Sequence, residues 1–270
     1  MAEKKKVLAH YDAQYTSFAT DLYSRIRARV FGEDYGQNGW QTADEQDRFI
    51  EWLSLGDSDL LLDVACGSGG PTTRIVGKTG CRAVGIDINP KAIDEARSRA
   101  ESAGISQKAT FRTVEGKTAL DFEDGSFDGL ICIDAVNHLP DRSAVFAEWK
   151  RILKPGGRIV ITDPIVVTGP ITDQEMRVRS SIGFFIFVPP EVDKSLLDSA
   201  GFEVEPVQDL TGNMARIAAR WRRAREENES ELRRIEGDET YYGQQEFLDV
   251  AARLAKEKRL SRHLLLGTRR

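Results

Sequence analysis

The stretch Leu61-Leu62-Asp63-Val64-Ala65-Cys66-Gly67-Ser68-Gly69-Gly70 decides the fold. An apolar strand reaches a carboxylate, a turn of small residues follows, and Pro71 opens a helix. Gly67 and Gly69 can take positive φ and put no side chain between a ligand and the backbone. Pro71 fits the first helical turn, where a missing N–H costs nothing. Strand, tight turn and helix N-terminus together make a common seat for a nucleotide-like cofactor. A second strand, Arg82-Ala83-Val84-Gly85-Ile86-Asp87-Ile88, places Asp87 at its end. A spacing of about 20 residues suits a carboxylate that accepts hydrogen bonds from ribose hydroxyls.

The turn is not a dinucleotide fingerprint, because residue 72 is Thr72 where a third glycine would stand. The chain also lacks a Tyr-x-x-x-Lys pair. The positions four beyond its tyrosines hold Tyr15, Ala19, Arg27, Gly39, Gln245 and Glu246. Both facts weigh against an NAD-dependent dehydrogenase, which stays as an alternative. A protein that binds the cofactor without transferring a methyl group is another.

The run D-V-A-C-G-S-G-G is similar to motif I of class I S-adenosylmethionine (SAM)-dependent methyltransferases. Gly85-Ile86-Asp87-Ile88 resembles their motif II. Ser126-Phe127-Asp128-Gly129-Leu130-Ile131-Cys132 resembles their fourth strand, and Leu153-Lys154-Pro155-Gly156-Gly157-Arg158-Ile159-Val160-Ile161 their fifth. The stretch from residue 31 to 39, Asp134-Ala135-Val136-Asn137-His138-Leu139 and a helical insertion before the last strand look like small-amine N-methyltransferases. Phosphoethanolamine and sarcosine/dimethylglycine enzymes are the types resembled. Two features depart from them. After the third strand the chain reads Val114-Glu115-Gly116-Lys117 instead of Gly-Asp. Pro164 follows Thr162-Asp163 where the phosphoethanolamine enzymes carry a tyrosine.

With 270 residues, the chain can bury one substantial core and carry appendages. The net charge of -5 argues against nucleic acid and against an anionic membrane as the main partner. Three cysteines without a C-x-x-C pair make neither a disulfide framework nor a zinc site. No signal peptide or membrane span is legible, so the chain reads as cytoplasmic with a small-molecule acceptor. A homodimer stays open, because the appended helices could equally form a subunit interface.

Strand–helix alternation implies an α/β fold with a parallel sheet covered on both faces. Expected strands are 60–65, 82–88, 109–114, 128–133, 157–162, 202–210 and 260–268. Helices should begin near 71, 90, 118 and 141. Thr42-Ala43-Asp44-Glu45 reads as a capping box that starts an earlier helix. The expectation is one Rossmann-like domain with a seven-stranded, mostly parallel sheet. Its core spans about 55–211 and 258–270. Cap elements span about 7–54, 164–190 and 212–257.

Methyl transfer from a sulfonium needs orientation and exclusion of water, and no metal. A base is needed only where the nucleophile arrives protonated. The expected cofactor residues are Asp63, Ala65, Gly67, Ser68, Gly69, Asp87, Ile88, Glu115, Gly116 and Ile133. Asp63 would meet the methionine ammonium or brace the Gly67 turn. Ile88 and Glu115 would contact adenine. Asp134, as the resemblance implies, faces cofactor and substrate. His138 is the base candidate, with an unperturbed pKa of about 6.5. Asp163 is a further substrate-site candidate. Tyr11, Tyr15, Tyr35 and Trp40 would close over the ligands or pack in the core. The expected product of SAM is S-adenosylhomocysteine (SAH).

Overall fold

Five strands run parallel: β1 Leu60–Val64, β2 Arg82–Asp87, β3 Ala109–Thr113, β4 Phe127–Ile133 and β5 Leu153–Val167. The computed structural model describes Tyr15, Phe18, residues 20–115 and residues 118–270. Tyr11 and Gly116 therefore lie outside the described residues. The last strand, β8 Leu260–Arg269, lies antiparallel to β5, and β6 Phe202–Val204 and β7 Gln208–Asp209 both pair with β8. The order is β3-β2-β1-β4-β5-β8-β6. It reverses between β1 and β4, and ligands of open α/β sheets bind at that switch point, outside the carboxyl ends of the strands.

α1 Asp21–Phe31 leads the chain, and one face of the sheet carries α2 Ala43–Leu53, α3 Gly70–Thr79 and α4 Pro90–Ser102. Phe49, Leu53, Ile75, Ile93 and Ala96 meet Leu61, Val160 and Leu264 there. The other face carries α5 Arg142–Ile152 and, beyond the short α6 Asp173–Arg179, α7 Val192–Ala200. Phe146, Trp149 and Leu197 pack on Leu62, Leu130, Ile159 and Ile161. Strands buried on both faces read as continuous apolar runs, as β1 and β4 do. Truncating the buried Trp149 to alanine would cost about 3–5 kcal/mol.

Between β7 and β8 lie α8 Thr211–Glu226, α9 Glu229–Glu236 and α10 Asp238–Lys256. Their apolar stripes join α1 in a separate cluster, in which Leu22, Ile26 and Trp40 meet Met214, Ile217, Tyr241 and Phe247. Among the described residues no helix is long and apolar enough to cross a membrane.

The structure departs from expectation in four places. The sheet has eight strands, because Pro206 interrupts the expected 202–210 strand and leaves β6 and β7 as separate pieces. Proline offers no N–H to a ladder. No helix begins at 118; Leu120 instead donates its N–H to the Glu148 carboxylate and Phe122 packs edge-on against Phe127. β5 runs on past Thr162, and its register with β8 slips between Asp163 and Val166, around Pro164. The Thr42 hydroxyl caps α2 by accepting from the Glu45 N–H, but the Glu45 carboxylate turns away to Arg262. A complete capping box occurs elsewhere, between Thr172 and Glu175.

Candidate active site at the carboxyl edge of the sheet

The glycine turn is built for close approach. Ala65, Gly67 and Gly69 all have positive φ, at 60°, 54° and 70°. The turn is fixed by Cys66 N–H to the Ile86 carbonyl and Gly69 N–H to the Cys66 carbonyl, each 3.0 Å. A side chain at Gly69 would collide with Ala96 and Phe111. Ala65 is exposed and Gly67 partly so, leaving that backbone open to a ligand.

Asp63 is buried and accepts from the Thr72 hydroxyl in the first turn of α3. Burial pushes its carboxyl up to about 7. It does not brace Gly67. That N–H donates to Asp87 Oδ2 at 2.9 Å, and Asn89 N–H donates to Asp87 Oδ1. Asp87 is raised by burial, against which these amides act. Beside it, Ile88 is 42% exposed, an apolar surface set next to a polar one. Ser68 is turned from the open side, its hydroxyl donating to the Gly36 carbonyl. Glu115 is exposed and Ile133 half-buried at the same edge.

Asp134 closes β4 in the left-handed region, at φ 54°. Its carboxylate is fully engaged. Oδ2 accepts from Trp40 N–H at 2.8 Å, and Oδ1 accepts from the Thr162 hydroxyl at 2.8 Å and Arg262 Nε at 2.6 Å. Arg262 is 0% exposed and its Nη1 donates to Glu45 Oε2 at 2.8 Å. Burial opposes the guanidinium charge, but Asp134 and Glu45 outweigh it and hold Arg262 above its ordinary pKa. Asp134 thus anchors four segments and offers no idle oxygen.

His138 ends a single 3₁₀ turn, Val136–His138. Its Nδ1 lies 2.7 Å from the Phe184 carbonyl. A carbonyl can only accept, so the proton sits on Nδ1 and the neutral ring carries its lone pair on Nε2. Burial lowers the pKa, so the ring is neutral at pH 7. The neighbouring Asn137 is 0% exposed, and neither atom of its side-chain amide has a hydrogen-bond partner.

Asp163 lies inside the protein. It is 0% exposed and accepts from Arg142 Nη1 at 2.9 Å and from Ile165 N–H at 3.0 Å. Arg142 also donates to Asp193 at 2.6 Å, so Asp163 belongs to a buried network tying α5 and α7 to β5. Such a carboxylate has no route to a substrate without breaking that network. Trp40 stacks on Phe247 and meets Trp221 edge-on inside the cap cluster. Tyr15 reaches the cofactor turn, its hydroxyl lying 2.8 Å from where a Cβ on Gly67 would stand. Tyr35 lies against Arg74, whose guanidinium covers its ring at 5.2 Å, and its buried hydroxyl has no partner.

Residues 62–161, which contain this turn and both flanking edges, match the family model described as a methyltransferase domain. Over those residues the chain carries a methyltransferase domain. It is 28% identical over 203 residues to the 27-O-demethylrifamycin SV methyltransferase of Amycolatopsis mediterranei, covering 71% of this chain and 74% of that one. It is 30% identical over 220 residues to the sterol 24-C-methyltransferase ERG6B of Gibberella zeae, covering 77% of this chain. The chain spans only 57% of that relative's length. Among solved structures, the phosphoethanolamine N-methyltransferase 2 of Haemonchus contortus, in complex with phosphomonomethylethanolamine and SAH, superposes with a TM-score of 0.79 at 18% identity. That match covers 96% of this chain and 60% of the other, and its likeness is one of fold.

The residues of the turn and its flanks fit a SAM-like cofactor. The open backbone at Ala65 and Gly67 admits a ligand, the Asp87 carboxylate suits a ribose, and the exposed Ile88 offers an apolar surface to an adenine. Among the described residues no group of three or more His, Cys, Asp and Glu side chains could hold a metal ion.

Sequence reasoning missed Arg262, Glu45 and Asn137 in this methyltransferase. Arg262 had a legible signal. It interrupts an alternating series, Leu260, Leu264 and Leu266, at a position that points into the core. A lone arginine on the buried face of a strand implies a carboxylate opposite it. Asn137 offered no such signal, because its burial depends on the segment around Ile186, whose N–H donates to the Asn137 carbonyl.

Proposed function

We propose that this protein methylates a small-molecule acceptor at a hydroxyl oxygen, with nitrogen as the less favoured atom, and that His138 is the base. SAM, when bound, supplies an electrophilic methyl group on a sulfonium. The carrying observation is the fixed tautomer of His138. With Nδ1–H donating to the Phe184 carbonyl, Nε2 is the basic nitrogen of the ring, the one suited to take a proton from an incoming hydroxyl. A neutral amine needs no such base. Asp134 is already paired with Arg262, so it serves better to hold the pocket wall than to attract a cationic amine.

Asn137 supports an oxygen acceptor as well. A buried amide with both atoms unmet gains most from a neutral ligand that donates and accepts. Phe184, 51% exposed, and the half-buried Phe185 beside His138 supply apolar surface for the rest of the molecule. The Amycolatopsis relative, by its name, acts on an oxygen of rifamycin. Segments 20–54, 164–190 and 212–257 form the roof that excludes water, and Tyr15 closes over the cofactor turn.

The test is transfer from methyl-labelled SAM to a panel of phenols, secondary alcohols and secondary amines. Label should appear on hydroxyl compounds and depend on His138. Label confined to amines, unaffected by His138→Gln, would contradict the reading.

A further inference from the structure

Arg142, Asp163 and Asp193 are buried charges in contact with the segment that fixes His138. Arg142 is the first residue of α5. A cation there is opposed by its burial and by the positive end of the helix dipole. Two carboxylates hold it. Its Nη1 donates to Asp163 Oδ2 at 2.9 Å and to Asp193 Oδ1 at 2.6 Å. Burial pushes the Asp163 carboxyl up to about 7, toward its neutral form, so that one guanidinium serves two acids. A guanidinium is a planar fork, and fixing one nitrogen from two sides sets the direction of the other. Nη2 is thereby aimed at the Ile186 carbonyl, 3.0 Å away.

Ile186 belongs to a strap, residues 184–188, that lies along the 3₁₀ turn. Backbone bonds seat the strap at two points. Ile186 N–H donates to the Asn137 carbonyl at 2.9 Å, and Val167 N–H donates to the Val188 carbonyl at 2.8 Å. Arg142 adds a side-chain bond between them. Two residues before Ile186, the Phe184 carbonyl accepts the Nδ1–H that sets the His138 tautomer. A continuous chain of contacts thus runs from Asp163 and Asp193 through Arg142, Ile186 and Phe184 to the imidazole. Stability alone is poorly served by this design, because well-packed apolar residues commonly match or exceed a buried ion cluster. What a buried cation held at a fixed angle supplies is direction.

We infer that Arg142 is a positioning residue for His138. Asp163 and Asp193 aim its guanidinium, and its bond to the Ile186 carbonyl holds the strap so that the Phe184 carbonyl keeps the ring proton on Nδ1. Its catalytic meaning rests on the reading of His138 as the base. It gives Asp163 a place in the reaction without contact with the acceptor.

The test reads the ring itself, by nuclear magnetic resonance of protein carrying nitrogen-15 in its histidines. The chain has three of them, and His138→Gln assigns the signals of residue 138. At pH 8 the unsubstituted protein should show one tautomer, protonated at Nδ1. Arg142→Lys keeps a cation between the two carboxylates but lacks the second nitrogen that reaches Ile186. In that variant the ring should become a mixture of tautomers. Turnover of a hydroxyl acceptor should fall roughly 10- to 100-fold with SAH affinity unchanged, the scale of loss for a group misplaced by about an ångström. Asp193→Ala leaves Arg142 paired with Asp163 and removes one anchor, so it should lose part of the Nδ1–H tautomer. It decides the question if the lysine variant does not fold. A ring that stays fully protonated at Nδ1 in either folded variant, even at reduced stability, would make the cluster a support of the fold and overturn the inference. A ring that changes tautomer in Arg142→Lys while hydroxyl turnover stays intact would confirm the positioning and remove His138 as the base.

Discussion

Arg262 donates from the last strand to the Asp134 carboxylate at the end of β4, at 2.6 Å and out of contact with solvent. The pair fixes an aspartate whose backbone sits in the left-handed region, a conformation that costs of order 1–3 kcal/mol and needs support from its surroundings. It also makes the antiparallel edge strand part of the site.

Replacing Arg262 with Met should therefore leave two buried carboxylates without their cation. The expected loss is about 3–5 kcal/mol of folding stability, read from urea denaturation midpoints at pH 7. A loss under about 1 kcal/mol would show that the pair is screened by solvent.

Gly69→Ala tests the turn. A Cβ there would stand 2.7 Å from the Ala96 Cβ and 2.9 Å from the Phe111 ring, at a φ of 70° that alanine resists. The variant should lose about 1–3 kcal/mol of stability and bind SAH more weakly. A variant as stable and as tight as the original would mean that the turn relaxes freely.

Asp63 gives a pH prediction with a definite sign. Burial raises its folded pKa to about 7, whereas an unfolded aspartate titrates near 3.9. The folded state thus holds this proton more tightly than the unfolded state. The associated stability is fully present below about pH 4 and is lost as pH rises through about 7. Asp63→Asn removes that dependence and can still accept from Thr72. Between pH 5 and 8, in the absence of ligand, the unsubstituted protein should lose a few kcal/mol more than the variant, since one pH unit is worth about 1.4 kcal/mol. Parallel stability curves would contradict the burial of this charge.

His138→Gln should lower turnover of a hydroxyl acceptor by about 10²–10⁴-fold while SAH affinity stays unchanged. Because burial depresses the His138 pKa, the acid limb of kcat/KM should fall below pH 6.5 in the unsubstituted protein and vanish in the variant. An unchanged limb would assign the base to another group.

The sequence made the cofactor half legible because its signals are local. Gly67, Gly69, Pro71 and Asp87 lie within about 25 residues, and strand–turn–helix spacing alone brings them together. The opposite wall of the site is assembled from distant segments. Glu45 and Arg262 are 217 residues apart, and nothing in Thr42-Ala43-Asp44-Glu45 distinguishes a capping glutamate from one that reaches a remote arginine. Aromatic residues were ambiguous for the same reason. Tyr15 reaches the turn and Trp40 packs in the cap, yet both stand among mostly polar neighbours along the chain, which distinguishes neither. Pro206 was readable in advance, since a proline inside a strand pattern argues for a break.

The most direct measurement of the central claim is calorimetric titration of the purified protein with SAH, repeated on Asp87→Ala. The account predicts binding of one SAH per chain, weakened by roughly 1.5–3 kcal/mol in the variant, because Asp87 orders the Gly67 turn and, on the proposed reading, receives the ribose. No heat with the unsubstituted protein at millimolar SAH, or equal affinity in the two proteins, would contradict it.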